Sequence, residues 1–323
     1  MRKSDIVKAT IRRFPQLSNR TIARHLLHTY GDLWDNNLEK IRSSVRYYRG
    51  RAGKSSRQRL MNKDLFLQED VKIPQTWRKQ REPYYLTPGL WLILADAHIP
   101  FHEPIALEGA VQAGQAEGVE GVLLNGDWQD CSAISFWPTR KRDFNKEIEL
   151  VIDSLDWLRK EFPKQKIVYK PGNHEYRLPR YFVRKAPELI GSPLEAMETI
   201  IGFEERKIDF LDYHQIVMAG KLPILHGHEI TNLSRAVNPA RGLFLKAKSW
   251  ALCSHCHTTS MHTAKSITGK LLTTWSTGCL CDLSPDYMPY ANDWNWGFAL
   301  VNVEKDGNFE VVNRRVLPNG KIV

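Results

Sequence analysis

Five apolar runs in this chain each end abruptly in histidine, aspartate or asparagine. GLWLIL (89–94) leads into Asp96 and His98, and GVLLN (121–125) into Asp127 and Asp130. KIVYK (166–170) leads into Asn173, His174 and Glu175, LPIL (222–225) into His226 and His228, and SWAL (249–252) into His255 and His257. Runs this short and this apolar suit strands buried on both faces. The first three alternate with helical patterns, IALEGAVQAGQAEG and about Lys146–Phe162, which gives a β-α-β-α-β order. Sheets of that kind place their sites at the carboxyl ends of the strands. The five polar ends are therefore expected to meet.

What meets is a set of oxygen and nitrogen donors suited to one or two divalent metals. Two fit the number of donors better, because one aspartate can bridge a pair of ions that together clamp a phosphoryl group. Imidazole mixed with carboxylate favours Mn, with Fe, Zn or Ni as alternatives, and disfavours Ca.

The series Asp96-x-His98, Gly126-Asp127-x-x-Asp130, Gly172-Asn173-His174-Glu175, His226-Gly227-His228 and Ser254-His255-x-His257 resembles the calcineurin-like metallophosphoesterases in block order and spacing. The resemblance covers residues from about 89 to the end of the chain. It implies a four-layer α/β/β/α sandwich, with the closing strands KSITGKLLTTWSTG and WGFALVNVEKDGNFEVVNRRV forming a second sheet. It also implies that Asp96, His98 and His257 bind one metal, that Asp127 bridges, and that Asn173, His226 and His255 bind the other. His174 is then a catalytic group beside the scissile phosphate, and a hydroxide bridging the metals attacks phosphorus in line. Asp130, Glu175 and His228 are expected just behind the ligands. The family's ligand precedes the glycine of the fourth block, which selects His226 over His228. Where the family's last block has glycine this chain has Ser254, a strained position if that glycine has a positive φ.

Two segments are candidates for the rim of the site. The loop CSAISFWPTRKRDFNKE sets Trp137 beside Arg140, Lys141 and Arg142, a pattern able to stack a base and hold phosphates. The stretch CDLSPDYMPYANDWNWG (281–297) is rich in aromatics, as either a binding wall or a lid.

Charge divides the chain unevenly. Residues 1–63 hold 16 Lys/Arg against 4 Asp/Glu, and residues 64–323 hold 30 against 32, so the formal net charge of +10 comes from the first fifth. A concentrated positive field draws polyanions, above all nucleic acid. That segment also reads as folded. Ser4 can cap a helix ending near Phe14, Ser18 or Asn19 a second one that stops at Gly31, and a third runs from about Asp35 to Arg49. Arg42, Arg46 and Arg49 form a basic stripe on the third helix, and the unit resembles a helix-turn-helix DNA-binding module. The expected organisation is a basic helical domain at 1–55, a linker at 56–85 and the phosphoesterase domain at 86–323.

There is no run of about 18 apolar residues, so no membrane span is expected. Five cysteines, with no apolar leader in MRKSDIVKATIRRF, favour a reduced, cytoplasmic setting. Function reads as metal-dependent hydrolysis of phosphodiesters, with DNA or another nucleic acid as substrate. The alternative is a phosphomonoesterase or small-molecule phosphodiesterase whose N-terminal unit only targets it. The stretch Cys253-Ser-His-Cys-His-Thr looks like zinc or redox chemistry. Strand alternation would instead turn His255 and His257 to the metals, leave Cys256 on the far face, and put Cys253 on the histidines' side.

Overall fold

The computed structural model describes residues 2–50, 76, 81–136, 143–192, 197–233, 236–285 and 291–323. The rim residues Trp137, Arg140, Lys141 and Arg142, most of the 56–85 linker, and the aromatics Tyr287 and Tyr290 fall outside them. Two compact units divide the chain, Met1–Lys79 and Gln80–Val323. Among the described residues no helix is long and apolar enough to cross a membrane.

The first unit contains α1 (Lys3–Arg13), α2 (Asn19–Tyr30) and α3 (Leu38–Arg49), packed around Val7, Ile11, Ile22, Leu26, Trp34, Ile41 and Val45. Ser18 caps α2, its Oγ accepting from the Thr21 amide at 3.1 Å. The first helix starts earlier than expected: Arg2 holds the cap position and Ser4 lies inside the first turn. The third starts later. Gly31–Trp34 forms a 3₁₀ turn, Asp35 and Asn36 take positive φ (52° and 53°), and helix resumes only after Asn37 caps the Lys40 amide at 3.0 Å.

In the second unit, β2 (Gly89–Leu94), β3 (Gly121–Asn125), β4 (Lys166–Lys170) and β5 (Ile208–Phe210) run parallel. The hairpin of β11 (Gly297–Val303) and β12 (Phe309–Arg315) extends this sheet antiparallel to β2. The sequence reading put that hairpin in the second sheet. Its first strand is apolar at nearly every position, which suits a place beside β2 with both faces covered. The second sheet has the order β1-β6-β7-β8-β10-β9, with β1 (Tyr84–Tyr85), β6 (Val217–Ala219), β7 (Leu222–Ile224), β8 (Ala251–Cys253), β9 (Ser260–Lys265) and β10 (Leu271–Ser276).

Alternation along the strands builds the layers. Leu92, Leu94, Val122, Leu124, Ile167 and Tyr169 pack outward on α4 (Pro104–Ala116) and α5 (Phe144–Glu161). Trp91, Ile93, Leu123 and Val168 point inward and meet Val217, Leu222, Ile224 and Leu252 of the second sheet. On that sheet's outer face Ala251 and Cys253 pack with Leu243 of α8 (Pro239–Ala247), completing a four-layer α/β/β/α sandwich. Two shorter helices, α6 (Arg177–Lys185) and α7 (Met197–Ile201), follow β4.

Candidate metal centre

The strand ends of both sheets turn sharply where the polar residues begin. Asp96, His98 and Asp127 take φ of 54°, 49° and 51°, and His255 and His257 take 67° and 55°. Such backbone is costly for residues other than glycine and clusters at functional sites. Two glycines make room. A Cβ on Gly126 (φ 90°) would strike the His226 ring, and one on Gly172 would strike the Asp127 carboxylate.

These turns bring the predicted residues together. His98 Nε2 lies 3.2 Å from His257 Nε2, and both face the Asp96 carboxylate, whose Oδ1 is 3.4 Å from His257 and 3.9 Å from His98. Asp127 Oδ2 is 3.2 Å from His226 Nε2, 3.9 Å from His98 Nε2 and 3.7 Å from His174 Nε2. Asp127, His226 and His255 form one compact donor group, His98, His257 and Cys281 another, and His98, Asp127 and His174 a third. Both aspartates and His226 are fully buried.

Each of several donors has one atom tied down and the other left bare. Asp96 Oδ2 accepts from the His255 amide at 2.8 Å, and Asp127 Oδ1 from the His174 amide at 2.8 Å. His226 Nδ1 donates to the Asn125 carbonyl at 2.8 Å, and His98 Nδ1 to Asp130 Oδ1 at 2.9 Å. The opposite atoms, Asp96 Oδ1, Asp127 Oδ2 and His226 Nε2, have no hydrogen-bond partner although buried, and neither has Asn173 Oδ1. Buried polar atoms left unpaired cost free energy. Lone pairs converging from several elements, two imidazole nitrogens among them facing each other, are the arrangement a cation resolves. The donor set fits divalent metal.

Without an ion a proton takes part of its place, since His226 Nε2 and Asp127 Oδ2 lie 3.2 Å apart. Burial works against a charged His226, but the adjoining Asp127 and Asp96 outweigh it and raise its pKa to about 10. His255, buried and beside His226, is pushed down to about 3 and presents a neutral ring. Burial likewise opposes ionisation of Asp130, yet its bonds to His174 and His98 hold its carboxyl below the usual range.

The surrounding residues fix the loops. Asp130 Oδ1 holds His174 Nδ1 at 2.9 Å as well as His98. Glu175 accepts from the amides of Asp127, Trp128, Gln129 and Gly172 at 2.8–3.1 Å, and from the Tyr169 hydroxyl at 2.7 Å. Ser254 is not strained. The positive φ falls on its neighbour His255, and its Oγ instead accepts from Asn125 Nδ2 at 2.9 Å and Thr277 Oγ1 at 3.0 Å. His228 stands aside, its ring 5.3 Å from that of His226 and its Nδ1 3.6 Å from Glu229 Oε2.

Strand alternation does not explain the last block. The strand ends at Cys253, and His255 and His257 diverge because both sit at positive φ. Cys253 packs with Cys256 against Leu243, away from the histidines. It is Cys281 that approaches the site, its Sγ 3.9 Å from His257 Nδ1, while Trp294 packs against the His257 ring at a 59° tilt with centroids 4.0 Å apart.

The sequence reading missed three charged residues. Lys170, fully buried, donates to Glu229 at 2.9 Å, and Glu229 accepts from the Gly227 amide at 2.7 Å, bracing the His226 loop. Arg177 lies against His174 and Asp130. Glu229 adjoins a motif block and Lys170 and Arg177 are each one residue removed from one, and that nearness was the available signal.

No known family model matches the chain, and no curated protein does. Solved structures do. A single mutant of Vps29 from Entamoeba histolytica is 14% identical with a TM-score of 0.37, the match covering 72% of this chain and 96% of that one. Vps29 from Cryptosporidium parvum is 16% identical with a TM-score of 0.38, covering 73% and 96%. A dimetal phosphatase from Danio rerio is 11% identical with a TM-score of 0.35, covering 72% and 97%.

In the helical unit the basic stripe is only partly outward. Arg49 donates to the carbonyls of Leu17 (2.6 Å), Pro15 (2.8 Å) and Phe14 (3.3 Å) and to Asn19 Oδ1 (3.0 Å), so it staples the α1–α2 connection. Arg42 pairs with Glu39 at 3.0 Å, and Arg46 is exposed.

Proposed function

We propose that this protein is a metal-dependent phosphoester hydrolase of the calcineurin-like type, acting on phosphodiesters of nucleic acid. The observation that carries the reading is the convergence of buried polar atoms of Asp96, Asp127 and His226 that lack hydrogen-bond partners, completed by the facing nitrogens of His98 and His257. Asp96, His98 and His257 would hold one ion, Asn173, His226 and His255 the other, and Asp127 both. When bound, such a pair neutralises phosphoryl charge and lowers the pKa of water, with Mn²⁺ the fitting choice for this mixed donor set.

The protein's own groups do the rest. Asp130 fixes the tautomer of His98 and His174 by accepting a hydrogen bond from the Nδ1–H of each, leaving Nε2 turned to the site. His174, with Nε2 3.7 Å from Asp127 Oδ2, would stabilise charge on phosphorus or protonate the leaving oxygen after taking up a proton at Nε2. Glu175 holds the amides around Asp127, so the bridging carboxylate is preorganised.

Charge placement supports the nucleic-acid substrate. The first 63 residues carry the whole basic excess, and they include a packed three-helix unit that presents Arg46 to solvent. Such a unit adds polyanion affinity to phosphoester chemistry.

The test compares bis-p-nitrophenyl phosphate with p-nitrophenyl phosphate under Mn²⁺, followed by single-stranded, double-stranded and nicked DNA and RNA. Diester and nucleic-acid cleavage are expected. Turnover of the monoester alone would replace the nuclease reading with a phosphatase.

A further inference from the structure

We infer that Arg177 is a substrate-binding residue, which takes a non-bridging oxygen of the phosphoryl group held at the metal centre; the inference rests on the phosphoesterase reading. Arg177 opens α6, with Tyr176 alone between it and the Asn173-His174-Glu175 block. Its Nη1 donates to the Asp130 carbonyl at 2.8 Å and lies 3.7 Å from Asp130 Oδ2, beyond hydrogen-bonding distance. Its Nη2 donates to His174 Nε2 at 3.0 Å. His174 Nε2 is in turn 3.7 Å from the bare Asp127 Oδ2.

That pairing is unusual for a guanidinium. Among the described residues Arg177 forms no direct hydrogen bond to a carboxylate, although its side chain is only 22% exposed. Its Nη2 donates to the lone pair of His174 Nε2, while His174 Nδ1 donates to Asp130 Oδ1. A neutral nitrogen is a weaker partner for a cation than an anionic oxygen. The main-chain oxygen of Asp130 meanwhile fixes the other end of the fork. Arg177 is thus held in place while the donor nearest the metal centre keeps an exchangeable partner.

The charge of the centre calls for an anion at that spot. Of the seven proposed ligands only Asp96 and Asp127 are carboxylates, the others being Asn173 and four histidines. Two divalent ions would leave the loaded centre positive, and a phosphate bound there would place an oxygen next to His174 Nε2. Moving Nη2 from imidazole to that oxygen replaces a neutral hydrogen bond with a charge-assisted one. It also frees His174 Nε2 to take up a proton and donate to the same group.

The experiment titrates full-length Mn²⁺-loaded protein with inorganic phosphate by calorimetry, wild type beside Arg177→Gln and Arg177→Lys. Metal content is read by mass spectrometry, and diester turnover is measured in parallel. Arg177→Gln is expected to weaken phosphate about tenfold to a hundredfold at unchanged Mn²⁺ stoichiometry, the worth of a hydrogen bond to a charged group. Diester kcat/KM should fall with it. Arg177→Lys should recover part of the affinity, since it restores charge without the fork. Phosphate affinity equal to wild type in Arg177→Gln would overturn the inference. So would loss of Mn²⁺ from both variants, which would make Arg177 a brace for the metal loops. If the wild type cleaves neither ester while phosphate binding still depends on Arg177, the hydrolase reading fails and the anion-binding role of Arg177 stands.

Discussion

The strand-end cluster and the basic helical unit both present concentrated polar side chains, and the structure treats them in opposite ways. In the cluster the polar groups are desolvated: Asp96 and His226 are 0% exposed, and each has one atom pinned by a hydrogen bond and one atom bare. In the helical unit Arg49 is tied into the fold, but other charges stay in water. The Lys40–Asp35 pair, 2.7 Å apart, leaves its side chains 56% and 77% exposed. Desolvating a polar atom without a partner is costly, so several such atoms aimed at one point imply a ligand. An exposed cation carries no comparable penalty and implies only a field.

The sharpest way to break the comparison is at the bridging position. Asp127→Asn keeps the shape and removes the charge. Turnover should fall about a thousandfold or more, the several kcal/mol that metal-held charge stabilisation contributes. His257→Ala should act in the same direction. Bound Mn²⁺, read by mass spectrometry, should drop in both while circular dichroism stays native. Full activity in either would end the metal assignment.

Next in size is a pH effect. The raised pKa of His226, from an ordinary 6.5 to about 10, stabilises the metal-free fold below pH 6.5, and this contribution is lost as pH rises through 10. Metal binding has the opposite sign, because an ion at Nε2 must displace that proton. Apparent Mn²⁺ affinity should therefore climb by up to about tenfold per pH unit from pH 6.5 towards 9. Calorimetry in buffers of different ionisation enthalpy should show protons released. A flat affinity with no proton release would mean that His226 is not a ligand.

Asp130→Asn sharpens the comparison one layer out. It leaves the donors in place but loosens the hold on His98 and His174, and residues in that position typically change metal affinity or activity about 10–100-fold. A loss in kcat with Mn²⁺ affinity kept would assign the larger share to His174, and a loss in Mn²⁺ affinity the larger share to His98.

The meeting of these strand ends was legible because chemistry forced an anomaly on the sequence: apolar runs long enough to be strands, each broken by Asp, Asn or His. The layers were legible for the same reason, since only a strand covered on both faces reads as LWLIL or VLL. What escaped was charge that looks like surface. Lys170 and Glu229 form a pair with Lys170 at 0% exposure, yet singly each resembles the solvated end of an element. The final block escaped differently. Period-two alternation paired His255 with His257, whereas positive φ at both residues sets their directions. Only the pairing partner of β11, which lies two hundred residues earlier in the chain, reveals which sheet the last hairpin joins.

The smallest effects belong to the helical unit, where two arginines of one stripe should behave differently. Arg49 joins α3 to the α1–α2 connection through four acceptors. Arg49→Ala should destabilise that unit by about 2 kcal/mol, the cost of leaving carbonyls without a charged donor. It should be read as an earlier unfolding transition of full-length protein. Arg46 is exposed, so Arg46→Ala should leave that transition unmoved. If α3 meets nucleic acid, the same variant should reduce the salt dependence of binding by about one phosphate contact. An unchanged salt slope would take Arg46 out of the nucleic-acid face. A shared stability loss in the two variants would mean that Arg46, like Arg49, works inside the fold, and the contrast between buried donors and exposed charge would not extend to this helix.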